Sequence, residues 1–161
     1  MRIIGIDPGS RYTGYGIIEK NGQNSRHLAS GRINATSGDS FAHRLEIIYD
    51  GLQKVLAEYS VEQAAVETIF TAYNAKSTIK LGQARGVALL ALRHVPLPIQ
   101  EYAPTLVKKN VVGNGRASKH QVIQMVKLHL DLRTKLTEDA ADALAVALCH
   151  GQASEFNEQL K

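Results

Sequence analysis

The sequence has little cysteine. Cys149 is the single one among 161 residues. An internal disulfide and a Cys-rich metal centre are thereby excluded, and the chain reads as a soluble protein of a reducing compartment, the cytoplasm. Long apolar runs are missing too. Stretches such as Val87–Leu92 and Ala143–Cys149 stop far short of the about 20 residues a membrane-spanning helix requires. Met1-Arg2 leads directly into Ile3-Ile4-Gly5-Ile6, too short for the apolar core of a secretory leader, so none is expected. Acidic residues are scarce in one region. Residues 68–137 carry eleven Lys and Arg against only Glu101 and Asp131, although the whole chain has a net charge of only +4. Such a basic middle is the electrostatic footprint of a polyanion partner, or else a solvated basic face. What is present is ordinary for a globular chain: 44% hydrophobic and 21% charged residues. That is enough for one domain with a proper core, and it excludes disorder for most of the length.

Periodicity supplies a coarse architecture. Residues 3–7 form a short apolar run ending in Asp7, and Pro8-Gly9-Ser10 is a turn signal. Residues 12–19 and 26–34 read as strands around an Asn21-Gly22 hairpin turn. Phe41, Leu45, Ile48, Leu52 and Val55 then share one helical face, with Ser40 as N-cap. A buried strand at 63–66 ends at Glu67. A helix over about 74–93, a strand at 99–102, and helices over about 118–130 and 138–150 complete the pattern. The order βββαβαβαα predicts an α/β domain over residues 1–150, a mixed sheet with helices on both faces. Residues 110–118, with Gly113 and Gly115, read as a loop, and the polar segment 151–161 reads as a frayed tail.

Four carboxylates occupy unusual positions. Asp7 and Glu67 end strands, so neighbouring strands would bring both to one sheet end. Asp139 and Asp142 lie three apart in an Ala-rich helix, hence on one face. The small residues around them permit close approach to the sheet. Clustered carboxylates raise each other's pKa and are relieved by a cation. Oxygen-only donors favour Mg²⁺ or Mn²⁺. Two such ions about 4 Å apart activate water and stabilise the leaving oxygen of a phosphodiester. Each acid also has a plainer reading. Asp7 is a favoured turn residue, Glu67 a solvent-facing strand end, Asp139 a complement to a helix N-terminus, and Asp142 a partner for a nearby base.

The motifs resemble one family. Gly5-Ile6-Asp7-Pro8-Gly9-Ser10 with Thr13-Gly14-Tyr15-Gly16 is similar to the opening of RuvC-type Holliday junction resolvases. So are Val66-Glu67 with Phe70 and Asn74, Lys80 through Gly86, Val111 through Gly115 with Lys119, and Asp139 through Ala145, all in the family's order. The resemblance implies a ribonuclease H-like fold, a five-stranded mixed sheet flanked by helices. It implies that Asp7, Glu67, Asp139 and Asp142 are catalytic and hold Mg²⁺ or Mn²⁺, two ions per site. It implies a homodimer that binds four-way junction DNA, works with the RuvA and RuvB branch-migration proteins, and nicks two strands of like polarity to leave 5′-phosphate and 3′-hydroxyl ends. Phe70 is expected to stack on bases near the junction centre. Lys108 and Lys119 are expected at the scissile phosphate, and Lys76, Lys80 and Arg85 at the DNA backbone. Gly82 and Gly86, with Val87, Leu89, Leu90 and Leu92, are candidates for the dimer interface.

Two other readings stand beside this one. A junction-binding scaffold would keep the basic surface without chemistry. An actin-like ATPase would share the Asp7-x-Gly9-Ser10 opening, but such proteins need two domains of this kind.

Overall fold

The structure, a computed structural model, describes residues 1–69 and 74–159, with side chains as far as residue 154. Strands β1 (Arg2–Asp7), β2 (Tyr12–Asn21) and β3 (Asn24–Asn34) form an antiparallel meander. Helix α1 (Phe41–Glu58) leads to β4 (Gln63–Glu67), α2 (Ala75–Arg93) to β5 (Ile99–Tyr102), and α3 (Pro104–Val112), α4 (Lys119–His129) and α5 (Glu138–Gln159) complete the chain. The sheet order is β3-β2-β1-β4-β5, with β4 parallel to β1 and β5 parallel to β4. The expected five-stranded mixed sheet is therefore present.

Period-two alternation divides the core. Ile4, Ile6, Ile17, Ala64 and Val66 face α1 and α2, where Ile48, Leu52, Ala84, Ala88 and Leu92 meet them. Ile3, Ile18 and Ala65 point to the other face and pack with α5, behind which lie Val107 and Val111 of α3 and Val122 and Val126 of α4. Helix α5 is consequently buried on all sides from Ala143 to Gly151. Cys149 lies in this interior, where its sulfur accepts a hydrogen bond from Asn110 Nδ2 at 3.1 Å.

Three glycines set how near α5 comes to the sheet. A Cβ on Gly5 would lie 2.1 Å from the Ala143 carbonyl oxygen. One on Gly14 would lie 2.0 Å from that of Asp139, and one on Gly16 would lie 2.7 Å from the Leu144 side chain. Alanine on the helix and glycine on β1 and β2 are thus two halves of one close contact.

Two expectations are corrected. The segment Asn110–Val112 is not loop but the end of α3, a helix absent from the sequence-based pattern. Pro104 opens that helix, no side chain caps it, and Gly113 closes it with φ +87. Nine residues with buried Val107 and Val111 carry too little periodicity to stand out beside two glycines. The last helix also runs beyond 150, to Gln159, through part of the segment expected to fray. Gly151 does not stop the helix; it packs beside Ile3 and Lys20, where a Cβ would make ordinary contacts at 3.4 Å.

The Gly5 contact carries a prediction. In Gly5→Ala the new methyl meets helix backbone, which has no rotamer by which to yield. The expected loss is about 3 kcal/mol, the upper end of overpacking costs, seen as a lower urea midpoint with unchanged m-value.

Candidate active site

One row of residues crosses all five strands. Arg32 pairs with Gly14, Gly14 with Asp7, and Glu67 with Tyr102. Continuing the β1–β4 register by one residue from Ile6↔Val66 sets Asp7 beside Glu67. Alternation from Gly5 and Ala65 turns both carboxylates to the α5 side. There the first turns of α5 present Asp139 and Asp142. Thr137 fixes the start of that helix, its Oγ1 accepting from Ala140 N and its carbonyl from Ala141 N. The close approach at Gly14 then brings the Asp139 backbone onto the strand that neighbours Asp7.

The acids act on one another. Asp7 is pushed up to about 8, first by burial, then by the negative charges of Glu67, Asp142 and Asp139. Glu67 is pushed up to about 7 by burial and by Asp142, partly offset by Lys108, a hydrogen bond from Asp7, and Lys119. Burial also raises Asp142, against the fields of Lys119 and Lys108. The four acids thus share one electrostatic neighbourhood. Asp139 also faces outward, to Arg32, whose Nη1 lies 3.6 Å from Asp139 Oδ2. Among the described residues no three acidic, His or Cys side chains already converge on a single cation position. The donor set nonetheless fits a hard divalent ion. It is all oxygen, and Asp7 and Glu67 hold their charge at a cost that a cation removes.

The two lysines reach the same place from separate elements. Lys108 lies on α3. Lys119 opens α4 directly after a capping box in which Ser118 and Gln121 satisfy each other's backbone N–H groups. Lys119 Nζ donates to Glu138 Oε2 at 2.9 Å, and its pKa is raised by that bond and by Asp142 and Asp7.

The other expected DNA residues stand apart from the acids. Lys76 is exposed on the first turn of α2. Lys80 lies over the Phe41 ring, 5.4 Å from its centroid. Arg85 is held by Glu101 of β5 in an ion pair, so it reaches DNA only by leaving that partner. Phe70 falls outside the described residues. Arg32, Tyr12 and Glu138 also border the site, and sequence patterns single out none of them. Nothing in the local sequence separates Arg32 from any surface arginine on a strand; only the register across β1, β2 and β3 reveals it.

The raised carboxylates carry a prediction for metal-free protein. Below about pH 4 the Asp7 carboxyl is protonated folded or unfolded. Between its ordinary 3.8 and about 8 the folded state alone retains the proton. Folding therefore loses stability as pH rises through that window, and the loss levels off above pH 8. Asp7→Asn is expected to melt with wild type at pH 4 and above it at pH 8. The expected gain is about 2 kcal/mol or more, roughly 5 °C by calorimetry with chelator present.

Comparisons with known proteins converge with this geometry. Residues 3–150 match the family model described as crossover junction endodeoxyribonuclease RuvC. The chain is 51% identical over 161 residues to a protein of that name from Citrifermentans bemidjiense, covering 100% of this chain and 98% of the relative. It is 52% identical over 160 residues to one from Syntrophotalea carbinolica, covering 99% of each. Thermus thermophilus RuvC in complex with Holliday junction substrate superposes with a TM-score of 0.89 at 30% identity, over 98% of this chain and 96% of that one. The yeast mitochondrial Holliday junction resolvase shares the fold at a TM-score of 0.68 and 12% identity, over 99% of this chain and 86% of that one. The five-stranded mixed sheet with its helices is accordingly a ribonuclease H-like fold, and the chain belongs to the RuvC family of crossover junction endodeoxyribonucleases.

Proposed function

We propose that this protein resolves four-way DNA junctions in recombination and repair. It nicks two strands of like polarity to leave ligatable 5′-phosphate and 3′-hydroxyl ends. The observation that supports this most is the meeting of Asp7, Glu67, Asp139 and Asp142 at one sheet end, with Lys108 and Lys119 at their edge. The family's junction-bound relative gives the substrate class.

The four carboxylates hold divalent metal, Mg²⁺ with Mn²⁺ as substitute. When bound, a pair of such ions supplies an activated water and charge stabilisation at the leaving oxygen. The remaining work belongs to the chain. Asp7 and Glu67, fixed on adjacent strands, define one side of the cleft, while Asp139 and Asp142 define the other from a buried helix. Lys108 and Lys119 hold the scissile phosphate and offset charge that grows in the transition state. Phe70 stacks on bases opened near the junction centre, with about 1–3 kcal/mol per stacked base available. Basic residues between 68 and 137 hold the flanking backbones.

A junction has near two-fold symmetry, and two paired cuts need two sites in fixed relation, which a C₂ dimer provides. Helix α2 offers the surface. Ile79 is 62% exposed and Leu90 54% exposed. Between them, among the described residues, a Cβ on Gly82 would touch only Ile69, and one on Gly86 would touch nothing within 4 Å. RuvA and RuvB act with the dimer on the same DNA in the cytoplasm.

Three experiments test this reading. A labelled mobile junction and a matching linear duplex are incubated with the protein, with and without Mg²⁺. Paired, ligatable nicks on the junction alone are expected. Tight binding without metal-dependent nicks would favour the scaffold, and ATP turnover without either would favour the actin-like reading. Lys119→Ala is expected to lose cutting by about 100-fold or more while junction affinity falls less than about tenfold; an equal fall in both would reduce Lys119 to a backbone contact. In Leu90→Lys, sedimentation is expected to shift from dimer to monomer with far-UV dichroism unchanged.

A further inference from the structure

Arg32 sits where an arginine is least expected, beside carboxylates proposed to hold a cation. Three features of the fold put it there. Its register partner is Gly14, so no side chain of that partner stands between it and α5 on that face of the sheet. Asp139 lies in the first turn of α5, and the two charges meet at 3.6 Å. On its other side the guanidinium lies over the Tyr12 ring, 4.2 Å from the centroid. The stacking limits where the guanidinium can go, as an exposed pair alone would not.

We infer that Arg32 is a positioning residue that holds the Asp139 carboxylate away from Asp7, Glu67 and Asp142 until a divalent cation displaces it, and so sets the metal affinity of the site. The inference rests on the reading of the four acids as a cation site. A cation held by the four acids would compete with Arg32 for the Asp139 carboxylate. Arg32 is also a positive charge at the edge of the site and repels any cation that arrives. Both effects weaken metal binding. The pair is partly solvated, with side-chain exposures of 43% for Arg32 and 28% for Asp139. Exposed pairs of this kind are individually weak, which suits a contact that must exchange. A guanidinium displaced from Asp139 would keep its stack on Tyr12.

The experiment is Mn²⁺ binding to full-length protein without DNA, measured by titration calorimetry. Arg32→Gln is expected to bind Mn²⁺ about fivefold more tightly than wild type, about 1 kcal/mol at 1.4 kcal/mol per tenfold. Arg32→Lys keeps the charge and is expected nearer wild type. Tyr12→Leu removes the stack but not the charge, and is expected to shift affinity the same way by less. Melting of each variant with chelator present separates metal affinity from loss of fold. A merely structural arginine would lower the melting temperature and leave Mn²⁺ affinity unmoved. Unchanged or weaker Mn²⁺ binding by folded Arg32→Gln and Tyr12→Leu overturns the inference alone. Absence of Mn²⁺ binding by wild type overturns the metal reading and the inference with it.

Discussion

Helix α5 rests on the sheet at a separation that leaves no room for a side-chain carbon at Gly5, Gly14 or Gly16, where backbone oxygens or the Leu144 side chain already stand. The placement of nearly every group in the cleft depends on that contact. Because α5 is this close, its first turns reach past the strand ends and place Asp139 and Asp142 in the field of Asp7 and Glu67. Because it is buried from Ala143 to Gly151, it cannot rotate to relieve the repulsion. Helices α3 and α4 pack against its far side, and from there they bring Lys108 and Lys119 to the same cleft. A larger residue at any of the three glycines would move helix, acids and lysines together.

The cleft is therefore held in a costly state by packing. Asp7 and Glu67 lose hydration and gain like-charged neighbours, while the lysines compensate only in part. The apolar cores on both faces of the sheet supply the opposing free energy. The expense is the same feature that makes the site useful, because a divalent cation gains most where several oxygen charges are already fixed and poorly solvated. Preorganisation of this kind transfers the cost of assembling the site from the reaction to folding.

Much of this is legible in the residues alone. Asp7 and Glu67 end apolar strand runs, and Asp139 and Asp142 share a helical face among alanines, so period-two and period-3.6 patterns suffice to group them. The helix bounded by Ser40 and the strand ending at Tyr102 are readable for the same reason. Helix α3 is not, because nine residues without a capping side chain give periodicity little to act on. The continuation of α5 is not either: its polar composition after residue 151 resembles a tail, and Gly151 stands at its start, yet the helix runs on to Gln159. Arg32 and the partner of Arg85 lie beyond reach in principle. Which residue faces Arg32 depends on the register of three strands, and Glu101 meets Arg85 across a helix–strand contact 16 residues apart.

Such long-range partners change the meaning of the chain's basic character. The eleven Lys and Arg in residues 68–137 suggest a broad positive surface, yet Arg85 is engaged by Glu101, Lys119 by Glu138, and Lys80 lies over Phe41. Outside that region Arg32 is engaged by Asp139. A phosphate that takes one of these cations from its carboxylate exchanges one partner for another and leaves an acid to be resolvated. Its net contribution to affinity is smaller than that of a free lysine on the same surface. These engaged side chains are accordingly weaker sources of non-specific attraction, with Lys119 and Arg32 at the cleft itself. Lys76, by contrast, is exposed on the first turn of α2. The engaged ones, Lys119 and Arg32 among them, give up part of that attraction to the carboxylates beside them, so the count of basic residues overstates the pull of the surface on a polyanion.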